Sequence, residues 1–373
     1  MDNPFKNFFS KADTNVIGVD IGSSAIKIVQ LAKIKGRAVL KSYGSLALGP
    51  FAGLTIGQAA NLPADKISQV IKDLIREANI TSVNAGVAIP LRSSLVTMIE
   101  MPSSMSESQL SQMIPIEARK YIPVPITEVA LDWWIIPKEE EKAYDYEVFG
   151  AQGPAVPDNK TDVLVVSIHN EVLGNFNSIV NAAGLQTGFF EIEMFAAIRA
   201  LIDREQTSVM IMDVGAAVTK LYIVERGIIK KSHVINKGSQ DVTLSIAQGL
   251  QLPPEKAEKI KRNLASIGEE DKKAIYSIVE LTLDYIFSEA STVMLAYQKK
   301  HNKDIGKIIL TGGGVAMDGF VTAARARFNT EVVIGDPFAK VDTPAFLSEM
   351  LRKTGLDFGV AVGLALRKLQ EFG

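Results

Sequence analysis

The stretch Val16–Lys27, VIGVDIGSSAIK, decides how the chain is read. An apolar run carries Asp20 at its end, Gly22, Ser23 and Ser24 make a small-residue turn, and a second strand starts at Ala25. Far downstream, Val209–Lys220, VMIMDVGAAVTK, repeats the pattern. Asp20 matches Asp213, Gly22 matches Gly215 and Lys27 matches Lys220 at one constant offset. A single copy is an ordinary hairpin with an acid at a strand end. Two copies about half a chain apart point to two related half-proteins, each offering one Asp-Gly turn to a shared site. Small residues let backbone N–H groups come close to an anion. Gly22, Ser23 and Ser24 are thus placed to cradle terminal phosphates from one side, and Gly215, Ala216 and Ala217 from the other. Asp20 and Asp213 would hold hydrated Mg²⁺, which takes few carboxylates and keeps several waters.

Composition narrows the class. The chain has 373 residues, 47% of them hydrophobic, enough for two or more domains with buried cores. The net charge of −2 gives no global basic field for nucleic acid. The absence of Cys removes disulfides and thiolate metal sites. Only His169, His233 and His301 occur, far apart, which speaks against a His-based metal site. No apolar run approaches the roughly 20 residues of a membrane-spanning helix, and no signal peptide is visible. A soluble, cytoplasmic α/β protein is expected.

Working outward, Phe5, Phe8 and Phe9 beside Lys6 and Lys11 read as a tail or a weak surface contact. Hairpin partners flank Lys35-Gly36, Gly49–Gly57 is irregular, and Pro63 starts a helix. From Leu91 the character changes to strand, helix, strand, strand. Ser106 is a cap for the helix, and Pro115 within it should kink it or delay its start. Lys138–Lys160 reads as a solvated loop. Glu269–His301 has the stripe of one long helix.

Three further motifs carry chemistry. LTGGGVAMDGF, Leu310–Phe320, is a strand, a glycine turn and a helix start, in which Gly312, Gly313, Gly314 and Met317 either face a nucleoside or phosphate or make only a structural turn. AEKIK, Ala257–Lys261, puts Glu258 and Lys261 on one helical face, either as a grip for ribose and adenine or as a surface ion pair. EIEMFAAIRAL, Glu191–Leu201, leaves Glu193 at a strand-to-helix junction, either to orient a water near a γ-phosphate or to complement the helix dipole.

These motifs, in this order, resemble the phosphate-1, first connection, phosphate-2 and adenosine segments of the actin/Hsp70/sugar-kinase superfamily. GVAVGLALR, Gly359–Arg367, looks like its second connection helix. The insert and KGSQDVTLSIAQGL…AEKIK resemble the FtsA-like branch. DIGSSAIKIVQL, IEMPSSMSESQL and EARKYIPVPITEVALDW resemble the PilM family of type IV pilus assembly. The resemblance implies an actin-like ATPase fold with two duplicated lobes around a nucleotide cleft. It divides the chain into a tail, 1–12, a first lobe, 13–90 with 186–206, and an inserted interaction subdomain, 91–185. A second lobe, 207–237 with 305–373, and a helical subdomain, 238–304, complete it. It further implies ATP with Mg²⁺ as cofactors and adds Lys27 to the binding residues. It implies a partner as well, the cytoplasmic N-terminal peptide of a PilN-like inner-membrane protein, bound near Pro115–Pro125, which would keep the chain peripheral to that membrane. Contacts with pilus motor ATPases and assembly into rings stay open. Ala216 and Ala217 lack the hydroxyls that many relatives carry, so binding should survive better than hydrolysis. Lys220 receives no reading. A small-molecule kinase and an FtsA-like membrane tether are the alternatives.

Overall fold

The computed structural model describes residues 15–136, 160–203, 207–264 and 268–371. The Phe-rich N-terminal stretch and residues 138–159 of the expected loop lie outside these. Contacts divide the chain into a large unit, Met1–Pro90 with Asn175–Gly373, and a small one, Leu91–Gly174. The small unit begins where the composition changes, but it ends before the expected 185. Ile179, Val180, Ala183 and Leu185 are core residues of the large unit.

The first half opens with a meander, β1 (Asn15–Ile21), β2 (Ala25–Ile34) and β3 (Arg37–Ala47). Lys35 and Gly36 both take positive φ, the turn geometry that matches the twist of a hairpin. Pro63 precedes α1 (Ala64–Glu77), which buries Val70, Ile71 and Leu74, and β4 (Asn84–Ile89) follows. The small unit supplies β5 (Ser94–Pro102), α2 (Glu107–Ala118), β6 (Val129–Ile135) and β7 (Lys160–His169). Ser106 and Gln109 close a reciprocal capping box, so α2 starts at once, without the delay expected from Pro115. Pro115 instead lies within the last turn. Helix α3 (Asn170–Ala182) leads back to β8 (Gln186–Ile192) and α4 (Glu193–Leu201).

The second half repeats the meander as β9 (Ser208–Val214), β10 (Thr219–Glu225) and β11 (Ile228–Ile235). Helices α5 (Ser239–Gly249), α6 (Pro254–Arg262) and α7 (Glu269–His301) come next. Then follow β12 (Ile305–Thr311), α8 (Phe320–Arg327), β13 (Glu331–Ile334), α9 (Ser348–Thr354) and α10 (Gly359–Gln370). Leu351 anchors α9 in a core beside Phe338 and Phe358.

The two halves have one topology. The sheets run β3-β2-β1-β4-β8 and β11-β10-β9-β12-β13, each an antiparallel meander continued by two parallel strands. This is the duplicated, actin-like architecture. Side chains alternate across β1, with Ile17 and Val19 in a core with α1 and Val16 in a core with α10. The small unit is a three-stranded antiparallel sheet, β5-β7-β6, whose Ile99, Val163 and Val165 pack on Ile114 and Ala118 of α2.

Helix α10 lies in close contact with β1 and α4. A Cβ added at Gly18 would stand 1.9 Å from the Ala361 carbonyl oxygen, and one at Gly363 would stand 1.9 Å from that of Ala196. Backbone cannot yield as a side-chain tip does, so both positions require glycine. Gly18→Ala and Gly363→Ala are each expected to destabilise the protein by roughly 2 kcal/mol or more. Gly174→Ala, in α3 with open space around the added carbon, should instead stabilise by up to about 1 kcal/mol. Urea unfolding of the three variants reads this difference. Equal midpoints would mean that α10 is not wedged as described.

Candidate functional site

Antiparallel pairing fixes the centre of the site. Asp20 of β1 stands opposite Lys27 of β2, and Asp213 of β9 stands opposite Lys220 of β10. Opposed residues share a face, so each motif presents an acid and a base side by side. The turns close alike: Gly22 N–H donates to the Ala25 carbonyl at 3.1 Å, and Gly215 N–H to that of Val218 at 2.9 Å. The Lys27 ammonium lies 3.8 Å from Asp20. Lys220 donates to Asp213 Oδ2 at 3.3 Å and, at 2.6 Å, to Glu193 Oε2 at the start of α4. Lys220 of the second lobe is therefore bonded to an acid of the first. The signal for it was the offset of seven between acid and lysine, which a tight hairpin converts into direct opposition.

Above this centre lies a cleft of about 570 Å³, within the range of small-ligand sites. Its wall includes Ser24 and Lys27 from the first turn, and Gly215 and Ala216 from the second. Glu258 and Lys261 come from α6, and Gly313, Gly314 and Met317 from the glycine turn. Asp20, Gly22, Ser23, Asp213, Ala217, Gly312 and Glu193 belong to the same motifs but are not in the wall. Gly312, at φ 87°, passes over Asp213, and a Cβ there would stand 2.5 Å from the Asp213 carboxylate.

The wall also contains residues that the sequence reading missed: Pro50, Phe51, Gly57, Ser239, Arg262, Leu356 and Asp357. The segment around Gly57 is a strap. Leu48 and Ala60 donate their N–H groups to the carbonyls of Ser24 and Ser23, and Ala59 N–H reaches Gln240 Oε1 of α5 at 3.0 Å. Glu258 has its oxygens occupied by Thr243 (2.6 Å), Lys261 (2.6 Å) and Arg262 (2.7 Å). It fixes the wall by joining α5 to α6.

An anionic, partly apolar ligand fits these walls. Ser24, Lys27 and Gly215 line the cleft together with the apolar Ala316, Met317 and Leu356. A divalent metal fits less well. Among the described residues no group of three or more His, Cys, Asp or Glu is arranged to hold one, and each motif acid carries a lysine.

The family model described as Type IV pilus assembly protein PilM matches residues 18–369. Cell division protein FtsA of Pseudomonas aeruginosa is 23% identical over 95% of this chain and 89% of its own length. The FtsA of Borreliella burgdorferi is 26% identical over 87% and 85%. A chain of a solved PilM-PilN type IV pilus biogenesis complex superposes with a TM-score of 0.78 at 24% identity, covering 95% of this chain and 98% of that one. Ethanolamine utilization protein EutJ from Carboxydothermus hydrogenoformans gives 0.53 at 15% identity, over 94% and 89%. No helix among the described residues is long and apolar enough to cross a membrane.

Burial sets the electrostatics. It pushes the Asp20 carboxyl up to about 6, with Glu193 and Asp213 adding repulsion against the opposing pull of Lys27 and Lys220. Burial works against the Lys220 ammonium, yet Asp213 and Glu193 hold its pKa well above the ordinary lysine value. Asp20 titrates near 3.8 in the unfolded chain and at about 6 in the fold. The fold therefore takes up this proton first on acidification. The cost of the Asp20 charge is full above pH 6, shrinks as pH falls toward 3.8, and vanishes below it. Asp20→Asn should accordingly stabilise the protein by up to about 3 kcal/mol at pH 7.5, and the gain should fade near pH 4. Thermal unfolding across that range checks it. A gain that persists unchanged at pH 4 would refute the buried-charge account.

Proposed function

Because the chain belongs to the PilM family of type IV pilus assembly proteins, we propose that it is a nucleotide-binding scaffold of a pilus inner-membrane platform. The observation that carries this reading is the single cleft walled by both duplicated turns and by the glycine turn. ATP would be held with its phosphates between Gly22–Ser24 and Gly215–Ala217 and its nucleoside beside Gly313, Gly314, Met317 and Lys261. Bound ATP would supply the polyanion that the two turns share. The chain's own residues orient it, and Lys27 supplies positive charge. Glu193, the acid expected to orient a water, is tied to Lys220, which favours binding with weak turnover. The same tie disfavours a small-molecule kinase, which needs a carboxylate base open to its substrate.

The protein partner in this reading is the cytoplasmic N-terminal peptide of a PilN-like inner-membrane protein, which would keep the chain at that membrane. Its contact is the stretch of the small unit near Pro115–Pro125, where Met113, Ile116 and Tyr121 are exposed next to the buried Leu110, Ile114 and Ala118. Exposed apolar side chains on α2 and just after it suit a peptide with apolar anchors.

Two variants separate the two parts of the reading. Lys27→Ala should weaken ATP binding about tenfold or more, the loss of a charged contact, and leave peptide binding intact. Ile116→Glu should abolish capture of the PilN-like peptide and leave ATP binding unchanged. Calorimetry and a peptide pull-down read them. Unchanged ATP affinity in the first, or undiminished capture in the second, would overturn the corresponding part.

A further inference from the structure

Two ion-paired groups, Asp20 with Lys27 and Lys220 with Glu193 and Asp213, lie near enough for their charges to act on one another. Asp20 and Glu193 come from the first lobe and Asp213 from the second, and Lys27 and Lys220 stand against them. Lys27 also lines the cleft, whereas Lys220 is drawn below it by Glu193 and Asp213. Its side chain is 14% exposed, and those of Glu193 and Asp213 are 9% and 11% exposed. The ammonium thus sits at the acids of two lobes, with one strong and one longer contact, in a setting nearly closed to water.

A divalent cation held through water by Asp20 and Asp213 would share carboxylates that already face ammonium groups, Lys27 at 3.8 Å from Asp20 Oδ2 and Lys220 at 3.3 Å from Asp213 Oδ2. Mg²⁺ keeps an octahedral shell of oxygens, several of them waters. Here the Asp213 carboxylate faces a lysine ammonium, and so does that of Asp20. A metal would have to displace Lys220 from Asp213, a contact backed by its stronger bond to Glu193, or settle beside a fixed positive charge, and both arrangements are costly at low dielectric. The cleft wall meanwhile carries Lys27, Lys261, Arg262 and Lys353 against Glu258 and Asp357, an excess of positive charge suited to an anion without its metal.

We propose that the Lys220 ammonium is a built-in cation that takes the place of the divalent metal under the phosphate end of the cleft, so that this chain holds a nucleoside triphosphate without Mg²⁺. The proposal rests on the nucleotide reading above. The duplicated lysine thereby acquires two roles: Lys27 faces the ligand, and Lys220 neutralises the acids of both lobes.

The test titrates ATP into the full chain by calorimetry, once with excess Mg²⁺ and once with EDTA. The expected result is two dissociation constants within about threefold of each other. An affinity about tenfold or more weaker in EDTA would overturn the proposal while leaving the nucleotide reading standing. Binding in neither condition would overturn the nucleotide reading and this inference with it. Lys220→Met should create a dependence on Mg²⁺ of about tenfold or more, as the freed acids recruit the metal, while Lys220→Arg should stay indifferent to it. A merely structural lysine would shift both conditions equally, and that result in Lys220→Met counts against the proposal. Should Lys220→Met fail to fold, the wild-type pair of titrations still decides.

Discussion

The site depends on one cross-strand register. In each half a two-strand hairpin sets a lysine opposite an aspartate, Lys27 on Asp20 and Lys220 on Asp213. A slip of one residue would turn both charges to the opposite face, into cores built from Ile17, Val19 and Ile26 in one lobe and Met212 and Leu221 in the other. The apolar alternation of the strands therefore places the charges, and the charges need no further device to find one another. The small turn residues complete the arrangement, because the closing bond from Gly22 or Gly215 leaves the turn amides at the strand ends.

This register creates a site that is costly to fold. Asp20, Asp213 and Glu193 are all buried, and burying acids is unfavourable unless they are paired and hydrogen-bonded. Apolar packing around the site carries the cost: the α10 wedge against Gly18 and Gly363, and the continuous core beneath β9, β10 and β12. The raised Asp20 value shows that compensation is incomplete at one acid. Strongly shifted, partly compensated acids of this kind are common at functional sites.

Much of this was legible in the sequence because it is local or repeated. The hairpin at Lys35-Gly36, the long α7 and the duplicated Asp-Gly turns follow from periodicity, turn chemistry and self-similarity. The parts that were not legible depend on distant residues. Glu258 reads either as a grip or as an ion pair with Lys261, and only the distant Thr243, with Arg262, shows that the pair is buried and fully occupied. The irregular stretch after Leu48 becomes a strap only through Gln240, 181 residues beyond Ala59. Helix α9 exists because Leu351 finds a core made by the far ends of the chain. The small unit ends at Gly174 because residues of α3 beyond it pack with α1 and β4. Pro115 could not be placed from its own residue type, since the cap at Ser106, nine positions upstream, fixes where α2 starts.

The two copies of the motif are alike in backbone and different in chemistry, and that difference indicates how the halves divide their work. The first turn keeps hydroxyls at Ser23 and Ser24, and its lysine reaches the cleft wall. The second replaces both hydroxyls with Ala216 and Ala217 and turns its lysine inward to acids of both lobes. A duplicated enzyme with two equivalent catalytic turns would have kept polar groups in both. Here both turns reach the cleft wall, but only the first sends its lysine there, while the second turns its lysine to the acids of both lobes. That asymmetry suits a protein whose ligand sets a conformation, and in which chemistry on the ligand matters less than how firmly the halves are held together.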